Sequence, residues 1–235
     1  MIGFYDYTVV LTYLGFASGM FGILMALTGH IFTAILCLMF SGLCDMFDGK
    51  VARTKKKRTN EEKNFGIQLD SLSDLVCFGV LPAVIGFKIG ISKSVFIPLI
   101  ILYPLAALIR LAYFNMLEIV RNGDGPVKEY VGLPVTSAAL IFPFIYIFRK
   151  FLGKYFVLVY GICLFIVGAL FISEIKVKKP QTKQMIIMII IGVLEILLIL
   201  TVRRFLWYTL GETEIVKKTS LQSLVGLLIF CMGLF

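Results

Sequence analysis

The chain has 235 residues, of which 59% are hydrophobic and only 16% are charged, and its mean hydropathy is +0.95. Soluble domains are about half apolar and about a quarter charged. This composition therefore excludes an ordinary soluble protein and indicates a polytopic membrane protein. The formal net charge of +9 does not indicate nucleic-acid binding, because the basic residues lie in short stretches between apolar runs, as membrane topology requires.

The apolar runs predict an all-α bundle of about eight spans, since a membrane-spanning helix needs about 20 mostly apolar residues. The predicted spans are Thr8–Leu27, Ile31–Val51, Phe65–Phe87, Val95–Leu117, Val131–Phe148, Tyr155–Ser173, Met185–Val202 and Leu221–Phe235. Residues Met1–Tyr7 contain no basic segment, and no small-residue cleavage site follows them, so we expect no removable signal peptide.

The distribution of basic residues predicts a cytoplasmic N terminus. In that orientation thirteen basic residues in the loops face the cytoplasm and nine face the other side, a modest bias in the expected direction. The stretch Thr54–Asn64 contributes most of it and is predicted to be a solvated cytoplasmic loop. A second interpretation is that this stretch also attracts anionic lipid head groups.

The cysteines and the single histidine do not indicate a metal or disulfide site. All five cysteines lie inside or at the edge of apolar runs and show no CxxC spacing, which is typical of small buried apolar residues. His30 has no second histidine to act with, so we expect no catalytic or metal-binding role for it.

Four of the fourteen acidic residues fall in two neighbouring predicted spans: Asp45 and Asp48 in the second, Asp70 and Asp74 in the third. Ionisable side chains inside a span are energetically costly and mark functional sites by default. Because a basic loop joins these two spans, all four carboxylates are expected at one depth, near the cytoplasmic surface.

The spacing of the carboxylates predicts that they face one another. One helical stripe carries Asp45, Asp48, Gly49, Ala52 and Arg53, and a stripe of the next helix carries Gly66, Asp70 and Asp74. Four carboxylates in one small volume repel strongly, and divalent cations resolve that conflict. The carboxylate oxygens are hard ligands, and four carboxylates suit two Mg²⁺ or Mn²⁺ ions.

The small residues on these stripes, Gly49, Ala52 and Gly66, have two interpretations. Small residues are common where membrane helices pack closely. They can also leave a slot in which a flat base or a diphosphate approaches the backbone. Their position between the two pairs of carboxylates favours the slot, and both interpretations can hold together.

The pattern Asp45-x-x-Asp48-Gly49-x-x-Ala52-Arg53 followed by Gly66-x-x-x-Asp70-x-x-x-Asp74 resembles the signature of the CDP-alcohol phosphatidyltransferases. The stretch between the arginine and the second glycine is longer here than is usual in that family. We expect the additional residues to lengthen the polar turn without disturbing either stripe.

Further segments are similar to the phosphatidylserine synthase branch of this family. They are Phe65–Asp74, Phe78–Ala83, Arg110–Asn115 and Gly132–Pro134. The resemblance covers about residues 1–180 and implies a six-helix family core there. Residues 181–235 are then two additional C-terminal helices without a functional interpretation.

The resemblance implies a metal-dependent transfer of a phosphatidyl group from CDP-diacylglycerol to the hydroxyl of L-serine, with release of CMP. Asp45, Asp48, Asp70 and Asp74 would bind the metals, and Asp74 would also act as the catalytic base. The CDP-lipid would bind at Asp48, Gly49, Ala52, Arg53 and Gly66. The resemblance also implies a homodimer in a bacterial or archaeal plasma membrane, with the active site facing the cytoplasm.

Two charged residues inside predicted spans lie outside the signature. Arg110 could pair with a motif aspartate, or it could receive the carboxylate of serine or a transferring phosphate. Glu195, in the seventh predicted span, is unassigned.

Two other functions stay open at this point. The acceptor could be glycerol 3-phosphate or an inositol phosphate, which should require more basic residues beside the motif than Arg110 alone. A cation transporter should carry ionisable groups through the whole membrane depth, often with internal repeats. Here the acids crowd one interface and no repeat is evident, which disfavours transport.

Overall fold

The computed structural model describes residues 3–55, 58–91, 96–120, 129–178 and 182–210. Within these ranges the protein is a helical bundle with one short pair of strands. The helices are α1 (Val10–Leu27), α2 (Ile31–Thr54), α3 (Asn60–Asp74), α4 (Leu81–Ile89), α5 (Ile97–Val120), α6 (Ala138–Ile147), α7 (Arg149–Leu152), α8 (Phe156–Phe171) and α9 (Thr182–Leu210). A π-helical turn, Leu75–Val80, joins α3 to α4 without a break, and 3₁₀ turns at Val135–Ser137 and Gly153–Tyr155 precede α6 and α8.

Five of the described helical segments are long and apolar enough to cross a membrane: Val10–Leu27, Ile31–Thr54, Asn60–Ile89, Ile97–Glu118 and Arg149–Phe171. These correspond to the first four predicted spans and the sixth. The fifth predicted span contains a shorter apolar helical segment, Val135–Ile147, and the seventh lies within α9, whose described side chains form the apolar stretch Ile187–Thr201. The eighth lies outside the described residues. The all-helical membrane class is thus confirmed, whereas the total of about eight spans stays a prediction.

The connection between α2 and α3 is shorter than the sequence suggested. The stretch Thr54–Asn64 was predicted to be a loop, and this is wrong for its second half, because α3 begins at Asn60. The reason is a capping box: Thr59 Oγ1 accepts from the backbone N–H of Glu62 at 3.1 Å, and the Glu62 carboxylate accepts from the backbone N–H of Thr59 at 3.1 Å. Much of the insertion therefore extends the helix instead of lengthening the turn.

Helix α1 packs along α2 and against the π-helical turn through a stripe of small residues. A side chain on Gly15 would contact Cys44 Cβ at 3.2 Å, and one on Gly19 would lie 2.4 Å from Cys77 Sγ. Two hydroxyls satisfy backbone carbonyls across the α1–α2 contact: Ser18 Oγ donates to Cys37 O at 3.1 Å, and Ser41 Oγ donates to Gly15 O at 2.9 Å. Close approach of backbones over small residues is the usual way in which membrane helices associate.

Successive long helices run in opposite directions, so the bundle has two ends. Helix α2 ends and α3 begins at what we call the carboxylate end. Helix α4 ends at the opposite end, where a side chain on Gly90 would contact Val157 of α8 at 3.4 Å. Helix α8 returns to the carboxylate end, where the strands β1 (Glu129–Val131) and β2 (Lys176–Lys178) pair antiparallel and Gly132 N donates to Ile175 O at 2.8 Å.

Candidate metal-binding active site

The structure brings the four predicted aspartates together between α2 and α3. Asp45, Asp70 and Asp74 each place one carboxylate oxygen within 4.8 Å of the other two. The fourth, Asp48, lies beside this trio and its carboxyl group contacts that of Asp70. Helical spacing explains the arrangement, because residues three or four apart project from one face.

The spacing of these oxygens fits a divalent cation. Oxygen ligands of Mg²⁺ lie about 2.0–2.1 Å from the ion, so two ligands on opposite sides of it are about 4.2 Å apart. Neighbouring ligands in an octahedral site are closer, about 3 Å apart, so three oxygens within 4.8 Å of one another need to approach by at most about 2 Å to share one ion. One oxygen of Asp70, Oδ1, is buried without a hydrogen-bond partner in the described part of the chain, as expected of an atom that a cation would satisfy.

The site is enclosed by helix α1, which the sequence analysis did not assign to it. Thr12 Oγ1 donates to Asp48 Oδ2 at 3.0 Å in a buried contact. Asp48 and Asp74 are only 8% exposed, and the space left among the carboxylates and α1 is a cavity of about 10 Å³. That is about the volume of one water-sized sphere. The signal in the sequence was the small and hydroxyl-bearing stripe that Thr12 shares with Gly15 and Gly19.

The π-helical turn begins immediately after Asp74. Such turns are rare and occur frequently at functional sites. Here the turn carries Cys77, whose thiol donates to Gly15 O at 3.3 Å. This hydrogen bond attaches the helical segment that carries Asp70 and Asp74 to α1. It therefore restrains the backbone beside these two carboxylates.

The small residues of the motif have different surroundings. Gly49 is exposed, and a side chain there would have no atom of the described residues within 4 Å. A side chain on Gly66 would lie 2.9 Å from Arg58 Nη2. Ala52 is half-buried and Arg53 is exposed. Arg53 Nε donates to Gly49 O at 2.9 Å, within its own helix. Open space beside the motif is therefore found at Gly49, and Gly66 leaves room for an arginine.

The two charged residues outside the motif lie on other helices. Arg110 is buried in α5, with its guanidinium carbon 4.5 Å from the centroid of the Phe114 ring. Glu195 is buried in α9, and its Oε2 has no hydrogen-bond partner among the residues that the structure describes. Neither residue lines the cavity among the carboxylates.

A wider groove of about 480 Å³ lies between α3 and α5, and none of the four aspartates lines it. Its polar part is a set of hydrogen bonds: Ser71 Oγ donates to Asn115 Oδ1 at 2.7 Å, and Asn115 Nδ2 donates to Gln68 Oε1 at 3.2 Å. Because Gln68 and Ser71 flank Asp70 in sequence, these bonds hold that turn of α3 against α5.

The N-terminal segment is attached to the α2–α3 connection at the edge of the site. Lys55 Nζ donates to Asp6 Oδ2 at 2.7 Å and to Glu62 Oε1 at 3.0 Å. The hydrogen bonds from Lys55, and secondly from Thr8, lower the pKa of Asp6 to about 2. The rings of Phe4 and Phe65 pack edge to face with centroids 5.6 Å apart. The ammonium group of Lys55 thus joins the N-terminal segment, the α2–α3 connection and α3 at the edge of the site.

Comparisons with known proteins agree with this geometry. The family model of the CDP-alcohol phosphatidyltransferases matches residues 8–172, which include all four aspartates and Thr12. The chain is 32% identical over 164 residues to the CDP-diacylglycerol–serine O-phosphatidyltransferase of Methanocaldococcus jannaschii, covering 70% of this chain and 73% of that protein. It is 31% identical over 172 residues to the archaetidylserine synthase of Methanothermobacter thermautotrophicus, covering 72% of this chain and 68% of that protein.

A CDP-diacylglycerol–serine O-phosphatidyltransferase of Saccharomyces cerevisiae is also similar to this chain. It is 36% identical over 153 residues, which are 62% of this chain. The chain spans 54% of the length of that yeast relative. Since the family model covers well over half of the sequence and the motif aspartates meet in one site, the chain belongs to the CDP-alcohol phosphatidyltransferase family.

Proposed function

We propose that this protein is a metal-dependent CDP-diacylglycerol–serine O-phosphatidyltransferase, that is, a phosphatidylserine synthase. The observation that carries the proposal is the cluster of Asp45, Asp70 and Asp74, with oxygens within 4.8 Å of one another, at one end of a membrane-embedded bundle. Several relatives at 26–36% identity carry the name of that enzyme, which supports serine as the acceptor.

The four aspartates would hold two divalent cations, Mg²⁺ or Mn²⁺, between α2 and α3. When bound, the cations would supply positive charge against the diphosphate of the CDP-lipid, which is the main requirement of phosphoryl transfer. Thr12 orients the Asp48 carboxylate by donating to one of its oxygens. The enclosure by α1 restricts access of bulk water to the carboxylates.

The open backbone beside Gly49 is the place where the cytidine end of the substrate would bind, together with Asp48, Ala52, Arg53 and Gly66. No atom of the described residues lies within 4 Å of the position of a Gly49 side chain, so a flat base could approach the helix there. The acyl chains would stay in the bilayer, since the carboxylate end lies at the surface of the apolar bundle.

Asp74 is proposed as the catalytic base in addition to its role as a ligand. It would take the proton from the serine hydroxyl as that oxygen attacks the phosphorus on the lipid side of the diphosphate. The bond from this phosphorus to the CMP oxygen breaks, and CMP leaves with the electron pair.

The orientation and assembly of the protein form part of the same proposal. We place the carboxylate end in the cytoplasm and propose a homodimer with a six-helix core over residues 1–180. Residues 181–235 would add two C-terminal helices outside that core. Arg110 is proposed as a contact for the acceptor or for the transferring phosphate.

The proposal is tested by measuring CMP release from purified protein with CDP-diacylglycerol and Mg²⁺ or Mn²⁺. L-Serine, glycerol 3-phosphate and inositol phosphate are supplied in turn. We expect release with serine. Release only with glycerol 3-phosphate or inositol phosphate would show that the acceptor is not serine. No release with any acceptor would overturn the transferase function.

A variant tests the role of Asp74 as the base. Asp74→Asn keeps the volume and one oxygen of the side chain but cannot take a proton. We expect it to abolish CMP release while CDP-lipid binding, measured separately, is retained. Retained turnover in this variant would remove Asp74 from the base role.

A further inference from the structure

A compact basic and aromatic surface lies at the end of the bundle opposite the carboxylates. It consists of Arg149, Lys150, Phe151, Lys154 and Tyr155, which we call the distal patch. The patch directly precedes α8, whose first turns lie against the end of α4: a side chain on Gly161 would contact Ile91 at 3.5 Å.

The distance between the two ends matches the thickness of a membrane. Asp70 and Ile89 lie on one continuous helical segment and are separated by about 28 Å at 1.5 Å per residue. The hydrocarbon core of a bilayer is about 30 Å thick. The distal patch therefore lies at the membrane surface opposite the one near the carboxylates.

The charge at this end has one sign. Arg149, Lys150 and Lys154 are exposed, and Lys88 at the end of α4 is exposed as well. Among the described side chains at this end of the bundle, none is a carboxylate. In the orientation proposed above, with the carboxylate end in the cytoplasm, three cations in six residues run against the usual preference for basic residues at the cytoplasmic surface. An anionic partner would account for their local concentration.

The aromatic residues of the distal patch are exposed at the surface of the bundle. Phe151 is 85% exposed and Tyr155 is 59% exposed, which would be unfavourable in water. Aromatic side chains are typical of the layer between head groups and acyl chains. Such a layer also contains the phosphates of lipids, within reach of the adjacent cations.

The cations are held in position by aromatic rings. The guanidinium carbon of Arg149 lies 5.8 Å from the centroid of the Tyr146 ring and 6.0 Å from that of Phe156. Arg149 Nη1 also donates to Tyr146 Oη at 3.5 Å. Lys154 Nζ lies 5.2 Å from the centroid of the Tyr155 ring. A guanidinium held in this way loses less conformational freedom when it binds a phosphate with two parallel hydrogen bonds.

We propose that the distal patch is a binding site for the phosphate of an anionic phospholipid in the leaflet opposite the carboxylate end. Arg149 and Lys154 contact the phosphate, and Phe151 and Tyr155 insert at the level of the head groups. The site is independent of the catalytic reaction, because it lies at the other surface of the membrane.

The test is lipid binding to the full-length chain in detergent, followed by native mass spectrometry during titration with phosphatidylglycerol or phosphatidylcholine. We expect phosphatidylglycerol to bind more tightly. Arg149→Gln and Lys154→Gln should each weaken its binding about fivefold, the effect of one basic residue at an anionic surface. Lys63→Gln, an equal change of charge on an exposed residue of α3, should leave it unchanged.

Two further measurements distinguish a lipid phosphate from a free phosphate, and the charge of Arg149 from the shape of its guanidinium group. Glycerol 3-phosphate added at the lipid concentration should not displace phosphatidylglycerol, and full displacement would show that the patch binds a free phosphate and not a lipid. Arg149→Lys keeps the charge but lacks the forked donor, so it should bind more weakly than the wild type. Equal losses in Arg149→Gln and Lys63→Gln, or equal affinity for both lipids, would overturn the proposal.

Discussion

The contact between Thr12 and Asp48 gives the sharpest test of the site. Thr12→Val keeps the shape of the side chain and removes the donor that lies 3.0 Å from Asp48 Oδ2. A hydrogen bond to a charged group contributes about 1.5–3 kcal/mol. If that energy orients Asp48 as a ligand, its loss corresponds to a factor of about 10 to 150 in binding, at 1.4 kcal/mol per tenfold.

The assay is CMP release from CDP-diacylglycerol and serine as a function of Mn²⁺ or Mg²⁺ concentration. We expect the metal concentration for half-maximal rate to rise by about 10- to 150-fold in Thr12→Val, with much of the rate recovered at saturating metal. Thr12→Ser retains the hydroxyl and should stay near the wild type. The matched control is Thr33→Val, which removes a hydroxyl from a buried threonine on a different helix, α2.

Two results would refute this reasoning. If Thr12→Val has the metal dependence of the wild type, the hydroxyl does not orient the ligand. If Thr33→Val shifts the metal dependence equally, the effect comes from general loosening of the bundle and not from the contact with Asp48.

Three other substitutions test the packing, the slot and the edge of the site. Gly19→Ala places a methyl group 2.4 Å from the sulfur and 3.3 Å from the backbone Cα of Cys77, so thermal unfolding should show a loss of about 1–3 kcal/mol; unchanged stability would contradict the close α1 contact. Gly49→Ala meets no atom within 4 Å and should leave the stability intact or slightly raised but increase the KM for the CDP-lipid; an unchanged KM would argue against a slot at Gly49. Asp6→Asn removes a carboxylate whose pKa is lowered to about 2, chiefly by Lys55. A lowered pKa stabilises the folded state above the unfolded value near 3.9. The stability difference from the wild type should therefore be constant above about pH 5 and shrink as the pH falls toward 2; a difference independent of pH would exclude this ion pair as its source.

Local features of the sequence predicted a large part of the site. The membrane class follows from composition, because a chain with so few charges cannot cover its apolar surface in water. Asp45 with Asp48, and Asp70 with Asp74, were assigned correctly to common helix faces because the spacing of residues along an α-helix is fixed. The pattern Thr59-x-x-Glu62 is that of a capping box, although the stretch Thr54–Asn64 was predicted to be a loop.

The tertiary structure decided which groups meet across helices. Thr12 lies 36 residues before Asp48, and no periodicity within α1 specifies which carboxylate its hydroxyl contacts. The convergence of Asp45, Asp70 and Asp74 depends on the close contact of α1 with α2 and with the π-helical turn, through Gly15 and Gly19. Periodicity gives each helix its polar face, whereas distances of a few ångströms between faces depend on how side chains of particular volumes pack. The sequence alone therefore determined the helices and the faces that carry the carboxylates, and the packing of α1 determined the site that they form.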